Sequence, residues 1–319
     1  MPIFSKSKNS LKLIREKKID LERDIQKLTE ANLEEVFGLQ FICGATNKEF
    51  QLQNLRVDTI AYNAEAKSFV LIEYKRDKNY SVIDQGFSYL QLLLNNQADF
   101  VLELNERAGS NLKKSDIDWS QSRVVFIAPS FTAYQLGALG FNDLPIELWE
   151  VKVYENNTIL YNRLEVSGST ASINSLSGRV PAIRQVSDQV KVYSEDDLME
   201  GVSEKAVDLY ITLKAQILAL GSDVALKATK NYISFSASRK FVDIHIYKNR
   251  LRLYVTIEKP NDPLKILRPV PASYNWGENL YDFNVSDETE IPAAMQLIRQ
   301  SYLGAVPTLP AGLFTVPKS

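Results

Sequence analysis

The chain has one cysteine, Cys43, and one histidine, His245, among 319 residues. A single cysteine cannot close an internal disulfide, which suits a reducing compartment. The same scarcity excludes a zinc site of the usual Cys/His kind and a nucleophilic Cys–His pair. No apolar run approaches the roughly 20 residues of a membrane span. The opening stretch, MPIFSKSKNSLKLIREKK, is basic but lacks the apolar core and small-residue cleavage site of a signal peptide, so the expected location is the cytoplasm with no membrane partner. A large charge excess is missing too, since the net charge is −2. Proteins that coat duplex DNA non-specifically are strongly basic, so any nucleic-acid contact here must be local.

With 45% hydrophobic and 24% charged residues, the composition is that of a globular protein long enough for two domains. The most informative stretch is LRVDTIAYNAEAKSFVLIEYK, residues 55–75. It reads as two apolar strands joined by a polar turn at residues 63–68. With the turn centred near Glu65 and Ala66, Asp58 lies across the hairpin from Glu73. Like charges directly opposite on a strand pair destabilise a sheet unless a cation sits between them. Glu73 and Lys75 are two apart and share a face. Two carboxylates and an ammonium therefore converge, which suits metal-assisted phosphodiester hydrolysis with Mg²⁺ or Mn²⁺ held through oxygen.

The spacing Asp-x14-Glu-Tyr-Lys resembles the PD-(D/E)XK nuclease superfamily, the restriction-endonuclease-like fold. Gln85 and Tyr89, at i and i+4 in the helical pattern VIDQGFSYLQLLL, strengthen the likeness to its RecB-like and NucS-like branches. In those branches the pair faces the metal site. The resemblance covers residues from about 20 to 103. It implies Asp58 and Glu73 as metal ligands, Lys75 as the residue that positions or activates water, and Gln85 and Tyr89 as residues that order the site. It also implies a further carboxylate from the first helix. Glu22, at the head of the amphipathic stretch 21–38, matches that place best, with Glu34 and Glu35 as the fallback.

The first domain is expected over residues 1–164, with an αβββαβ core. Its later elements are a strand at ADFVLEL (98–104), a buried strand at 122–131, a short helix, and a closing hairpin turning at residues 155–157. Residues 165–194, rich in Ser and poor in large apolar side chains, read as a flexible linker. A second, smaller α+β domain follows at 195–305, before a Pro-containing tail at 306–319. Its helix is capped by Ser203 and stopped by Gly221, and a final helix has Pro292 in its first turn. The strands between carry Val242, Ile244 and Ile246 on one face and Asp243, His245 and Tyr247 on the other. The fold class is thus α/β, more closely α+β. This half resembles a bacterial domain of unknown function that often follows nuclease-like domains. Some of its relatives carry the label "predicted transport protein", which no apolar span here supports.

Candidate phosphate contacts are Lys75, Arg76 and Lys78 beside the site, with Lys113, Lys114 and Arg123 further along, although Lys113 and Lys114 read better as ordinary surface charges. Residues 239–268 hold eight Lys or Arg against three Asp or Glu. Arg252 and Tyr254 on that polar sheet face are candidates for holding single-stranded nucleic acid by stacking and phosphate contact; a merely solvated face would carry the same residues. The expected function is metal-dependent hydrolysis of DNA, on single-stranded, branched or damaged ends. The alternative is a nucleic-acid-binding or adaptor protein that keeps the fold without the chemistry. DNA is the expected partner, and a homodimer stays open.

Overall fold

The computed structural model describes residues 2–18, 22–44, 50–52, 55–75, 82–139, 141, 143–164, 181–237, 239–271 and 278–306. The chain divides into two units, Met1–Val192 and Tyr193–Ser319.

The first unit opens with a hairpin, β1 (Ile3–Ser7) and β2 (Ser10–Ile14), and a short strand β3 (Glu16–Lys17). Helices α1 (Glu22–Glu30) and α2 (Leu33–Phe37) precede β4 (Gln40–Gly44). A small hairpin, β5 (Phe50–Leu52) and β6 (Leu55–Val57), leads into β7 (Thr59–Asn63) and β8 (Ser68–Tyr74). Helices α3 (Val82–Asn95) and α4 (Gln97–Ala108) come next, then β9 (Arg123–Ala128) and α5 (Ala133–Ala138). The hairpin of β10 (Ile146–Tyr154) and β11 (Ile159–Leu164) and a helix α6 (Pro181–Ser187) complete the unit.

The main sheet has the order β11-β10-β9-β8-β7-β4, with β3 also paired to β10. Strands β8, β9 and β10 run parallel, while β7, β4 and β11 are antiparallel to their neighbours. The succession α1, β4, β7, β8, α3, β9 follows the expected αβββαβ order, with β5–β6 and α4 as additions.

Strand β8 sits centrally and is buried along its whole length, as a strand covered on both faces must be. Phe69 and Leu71 pack with Phe87, Leu90 and Leu93 of α3. Val70, Ile72 and Tyr74 pack on the opposite side with Ile25 of α1 and Leu33 of α2. The β7–β8 turn is fixed by Asn63, whose Oδ1 accepts from the Ala66 N–H at 2.8 Å, and by Lys67 at φ 50°. Helix α3 lies close on the sheet because Gly86 has no side chain. A Cβ there would stand 2.5 Å from Ile146 Cδ1.

Three expectations need correction. ADFVLEL is helix α4, not a strand. Alternation would have put Leu102 on the same face as Phe100 and Leu104, yet Leu102 is 57% exposed while Phe100, Val101 and Leu104 are buried. The stretch 21–38 is two helices, because Asn32 turns its Nδ2 back to the Leu28 carbonyl at 2.7 Å between them. The segment read as a linker contains α6, which belongs to the first unit. Val186 and Val190 are buried in its core, and the Gln185 amide bonds Gln91 and Asn95 of α3 at 2.8 and 2.7 Å. Residues 165–180 lie outside the described residues.

The second unit has α7 (Glu195–Met199) and α8 (Glu204–Leu218), then β12 (Ala225–Ala228), β13 (Ile233–Ser236), β14 (Lys240–Tyr247) and β15 (Arg250–Thr256). It ends with β16 (Arg268–Pro269), β17 (Leu280–Val285) and α9 (Ile291–Ala305). The sheet, β12-β13-β14-β15-β17-β16, is antiparallel throughout. Its apolar face, with Val242, Ile244, Leu251, Leu253 and Phe283, packs against Leu209, Leu213 and Ile217 of α8 and Ala294 and Ile298 of α9. Ser203 caps α8, its Oγ accepting from the Ala206 N–H. The chain is an α+β protein of two units, and among its described residues no helix is long and apolar enough to cross a membrane.

Candidate functional site

The β7–β8 register pairs Thr59 with Ile72, so the next pair outward is Asp58 and Glu73. The two carboxylates therefore meet where the hairpin opens, at the C-terminal end of β8. Glu73 is 5% exposed. Being one residue out of phase with Ile72 and Tyr74, it points to the α3 side. There its Oε1 accepts from Lys75 Nζ at 2.8 Å and from Gln85 Nε2 at 2.9 Å. Its Oε2 lies 2.9 Å from the Tyr89 hydroxyl, which also lies 2.8 Å from the Arg56 carbonyl. The hydroxyl has a single proton and donates to one of these acceptors at a time. Gln85 Nε2 also reaches the Tyr89 oxygen at 2.9 Å, so one helical turn of α3 clasps Glu73 from two sides.

Asp58 is held differently. Its Oδ2 accepts from the Tyr74 backbone N–H at 3.1 Å. Burial pushes its pKa up from 3.8 to about 7, and the charge of Glu73 pushes the same way. Glu22, exposed at the start of α1, adds to the rise, while the Tyr74 N–H and Lys75 oppose it. Burial and the neighbouring charge thus both disfavour the charged form of Asp58, and Lys75 only partly offsets them. The same burial and repulsion raise the Tyr89 hydroxyl well above its ordinary value, so it remains a donor.

The donor set suits a hard divalent ion. Mg²⁺ commonly takes one or two carboxylates and fills the rest of its shell with water and phosphate oxygens. Among the described residues, no group of three or more His, Cys, Asp and Glu gathers to enclose a metal by protein alone.

Two residues that the sequence reading left out support the site from behind. Gln26 and Glu30 of α1 are buried, although they carry polar groups on a helix. Gln26 Nε2 donates to Glu30 Oε1 and to the Asp58 carbonyl, both at 2.9 Å, and Thr59 Oγ1 donates to Glu30 Oε1 at 2.5 Å. Helix α1 thus holds the Asp58 carbonyl and the side chain of the next residue, Thr59. Gly44 of β4 lies so close that a Cβ there would overlap Glu30 Oε1. Their i, i+4 spacing beside Ile25 was the available signal, hidden because the residues are polar.

The remaining candidates scatter. Arg76 and Lys78 lie outside the described residues. Glu34 and Glu35 are exposed on α2, as are Lys113 and Lys114 after α4. Arg123 pairs with Glu147 at 2.9 Å. In the second unit Arg252 donates to Asp282 at 2.8 Å, an acid it shares with Arg268, and lies 5.2 Å from the Tyr254 ring centre. Tyr254 is only 5% exposed and packs against His245, whose ring lies between Tyr254 and Tyr232 at 4.9 and 5.1 Å. That leaves little of its face for a base to stack on, because its own sheet neighbours fill the space.

The family of domain of unknown function DUF5655 matches residues 195–304. An uncharacterized protein of Haemophilus influenzae is 37% identical over 303 residues, which span 94% of this chain and 99% of that protein. No solved structure matches the chain.

Proposed function

This chain belongs to one family with that Haemophilus influenzae protein, and we propose that its first unit is a metal-dependent nuclease of the PD-(D/E)XK type acting on DNA. The observation that carries the reading is the Asp58–Glu73 pair, Glu73 buried and Asp58 half-buried, with Lys75 bonded to Glu73 and the Asp58 pKa raised by desolvation and by its neighbour's charge. Asp58 and Glu73 would hold Mg²⁺ or Mn²⁺, and the charge of Glu22 strengthens the field there. When bound, such an ion supplies an acidified water and neutralises charge on the scissile phosphate. Lys75 positions that water or steadies charge on a phosphate oxygen. Gln85 and Tyr89 keep Glu73 in one rotamer, and Gln26 and Glu30 hold the Asp58 backbone still. Fixed donors and acceptors need no rearrangement at the moment of reaction.

A second reading, a nucleic-acid-binding or adaptor protein that cuts nothing, is favoured by one observation. Lys75 already neutralises Glu73 through a 2.8 Å ion pair. The test offers labelled single-stranded, duplex and forked DNA to the purified protein with Mn²⁺, beside Asp58→Ala and Lys75→Ala. Cleavage by wild type alone supports the nuclease. Equal cleavage by all three marks a contaminant, and binding without cleavage supports the second reading.

A further inference from the structure

The β1–β2 hairpin, which takes no part in the site just described, has an unusual surface. It pairs Ile3 with Ile14, Phe4 with Leu13 and Lys6 with Leu11, so one face carries Phe4, Lys6, Leu11 and Leu13. The other face carries Ile3, Ser5, Ser7, Ser10, Lys12 and Ile14, and Lys8 sits at the turn with φ 49°. Phe4, Leu11 and Leu13 are 47, 67 and 48% exposed. Residues 3–14 include three lysines and no acidic residue. A lone two-stranded ribbon is marginal in water, and this one shows both apolar and cationic surface.

Its position gives the surface a direction. Tyr74 of β8 registers with Ile127 of β9, which registers with Trp149 of β10. Because the three strands are parallel, Glu73, Lys75 and the end of β10 lie at the same end of the sheet. Strand β3 pairs antiparallel with that end, Lys17 opposite Val153 and Glu16 opposite Tyr154, and the Glu155 N–H bonds the Arg15 carbonyl at 3.0 Å. Followed backwards from Lys17 to Arg15, the chain moves past the end of β10. The ribbon is thus tethered beyond the end of the sheet at which the carboxylates sit. Because β11 holds the other edge of β10 as far as Val153, β3 lies on the β9 side, about 5 Å to the side of β8 and about 13–17 Å beyond Tyr74 along the strands.

We propose that the β1–β2 hairpin is a duplex-DNA-binding ribbon that presents the substrate to the Asp58–Glu73 site. The inference rests on the nuclease reading for what happens to the DNA, but not for the binding. A two-stranded ribbon fits the major groove of B-form DNA, which is about 12 Å wide. Lysines and hydroxyls reach phosphates and base edges, while Phe4 and the leucines cover sugar and methyl surface. A net charge of −2 excludes wholesale coating of DNA, so a local cationic ribbon is the economical way to hold it. The deep, narrow major groove of duplex RNA does not admit such a ribbon, which makes DNA the preferred duplex.

The test is anisotropy of a fluorescent DNA duplex of about two helical turns, titrated with full-length protein without metal at several salt concentrations. The triple variant Lys6→Gln/Lys8→Gln/Lys12→Gln, all on exposed positions, is measured beside wild type, with circular dichroism to verify folding. The expected result is affinity at least about tenfold lower in the variant. The plot of log affinity against log salt should also be shallower by about 2–3 units, since each lost phosphate contact removes roughly 0.9. A duplex RNA of the same sequence should bind more weakly than DNA. Equal affinity and equal slope in the two proteins would overturn the ribbon, as would absence of duplex binding by wild type at low salt. Phe4→Ser/Leu11→Ser converting a dimer to a monomer with DNA binding intact would overturn it in favour of a second copy. Lysine-dependent sedimentation with anionic vesicles, without duplex binding, would do so in favour of a lipid surface. Failure of the nuclease reading looks different, because it removes cleavage and leaves the salt slope in place.

Discussion

Lys75 and Glu73 form a close ion pair beside a second carboxylate, and each residue can be removed separately. If Lys75 acts on the water or the developing phosphate charge, Lys75→Ala lowers turnover by on the order of 10²-fold or more while the dissociation constant for DNA stays nearly unchanged. Single-turnover rates beside binding titrations measure that split. Loss of affinity with unchanged turnover would make Lys75 a phosphate contact only. Asp58 gives a pH signature. Its folded pKa is about 7 against an ordinary 3.8, so between those values the folded state holds a proton that the unfolded state has lost. Metal-free stability from this group is therefore complete below about pH 4, declines through the interval and levels off above pH 7. Urea midpoints in EDTA should fall between pH 5 and pH 8 in wild type, and less steeply in Asp58→Asn. Mg²⁺ at pH 8 should restore wild type by mass action and leave the variant unmoved. At this scale the sequence was most legible where geometry is arithmetic. A turn centred near Glu65 and Ala66 and a two-residue period place Asp58 opposite Glu73, whereas the burial of Gln26 and Glu30 depends on contacts from residues more than 25 positions away.

Among the elements, α3 carries most of the site's order, and its approach to the sheet depends on Gly86. Gly86→Ala forces a Cβ against Ile146 Cδ1 and should cost about 1–3 kcal/mol of stability. Denaturant melts measure it, and Ile146→Val should return part of the loss. If the variant is as stable as wild type, the helix shifts freely and Gly86 is not what sets the spacing. The strands with clear apolar runs, β8, β9 and β14, were readable because burial on both faces or clean alternation leaves a local trace. Helix α4 was not, since FVLEL serves either period over so short a window and the sheet beneath it decides. The β1–β2 ribbon escaped notice for a related reason: serines and lysines weaken the apolar alternation that marks a strand.

Over the whole molecule, each unit has its own apolar core, one centred on Phe69 and Phe126 and the other on Leu253 and Phe283. Residues 193–319 should therefore fold alone and melt cooperatively, as circular dichroism of that fragment would show; a featureless melt would mean its core is incomplete. The first unit behaves differently according to where it is cut. Ended at Leu164 it lacks Val186 and Val190 from its core and should be less stable than a fragment ended at Val192, by about 2 kcal/mol or more. Composition suggested the earlier boundary because a Ser-rich segment resembles slack chain, and the two valines and Gln185 that anchor α6 are too sparse to form a pattern. That anchoring has a mechanical side. The covalent path from the second unit enters the first through α6, whose Gln185 grips Gln91 and Asn95 on the helix bearing Gln85 and Tyr89. Tension applied along the chain at Tyr193 would first meet the Lys191 N–H bond to the Ser120 carbonyl and then the grip of α6 on α3, so it would reach the helix that clasps Glu73 before it reached β11.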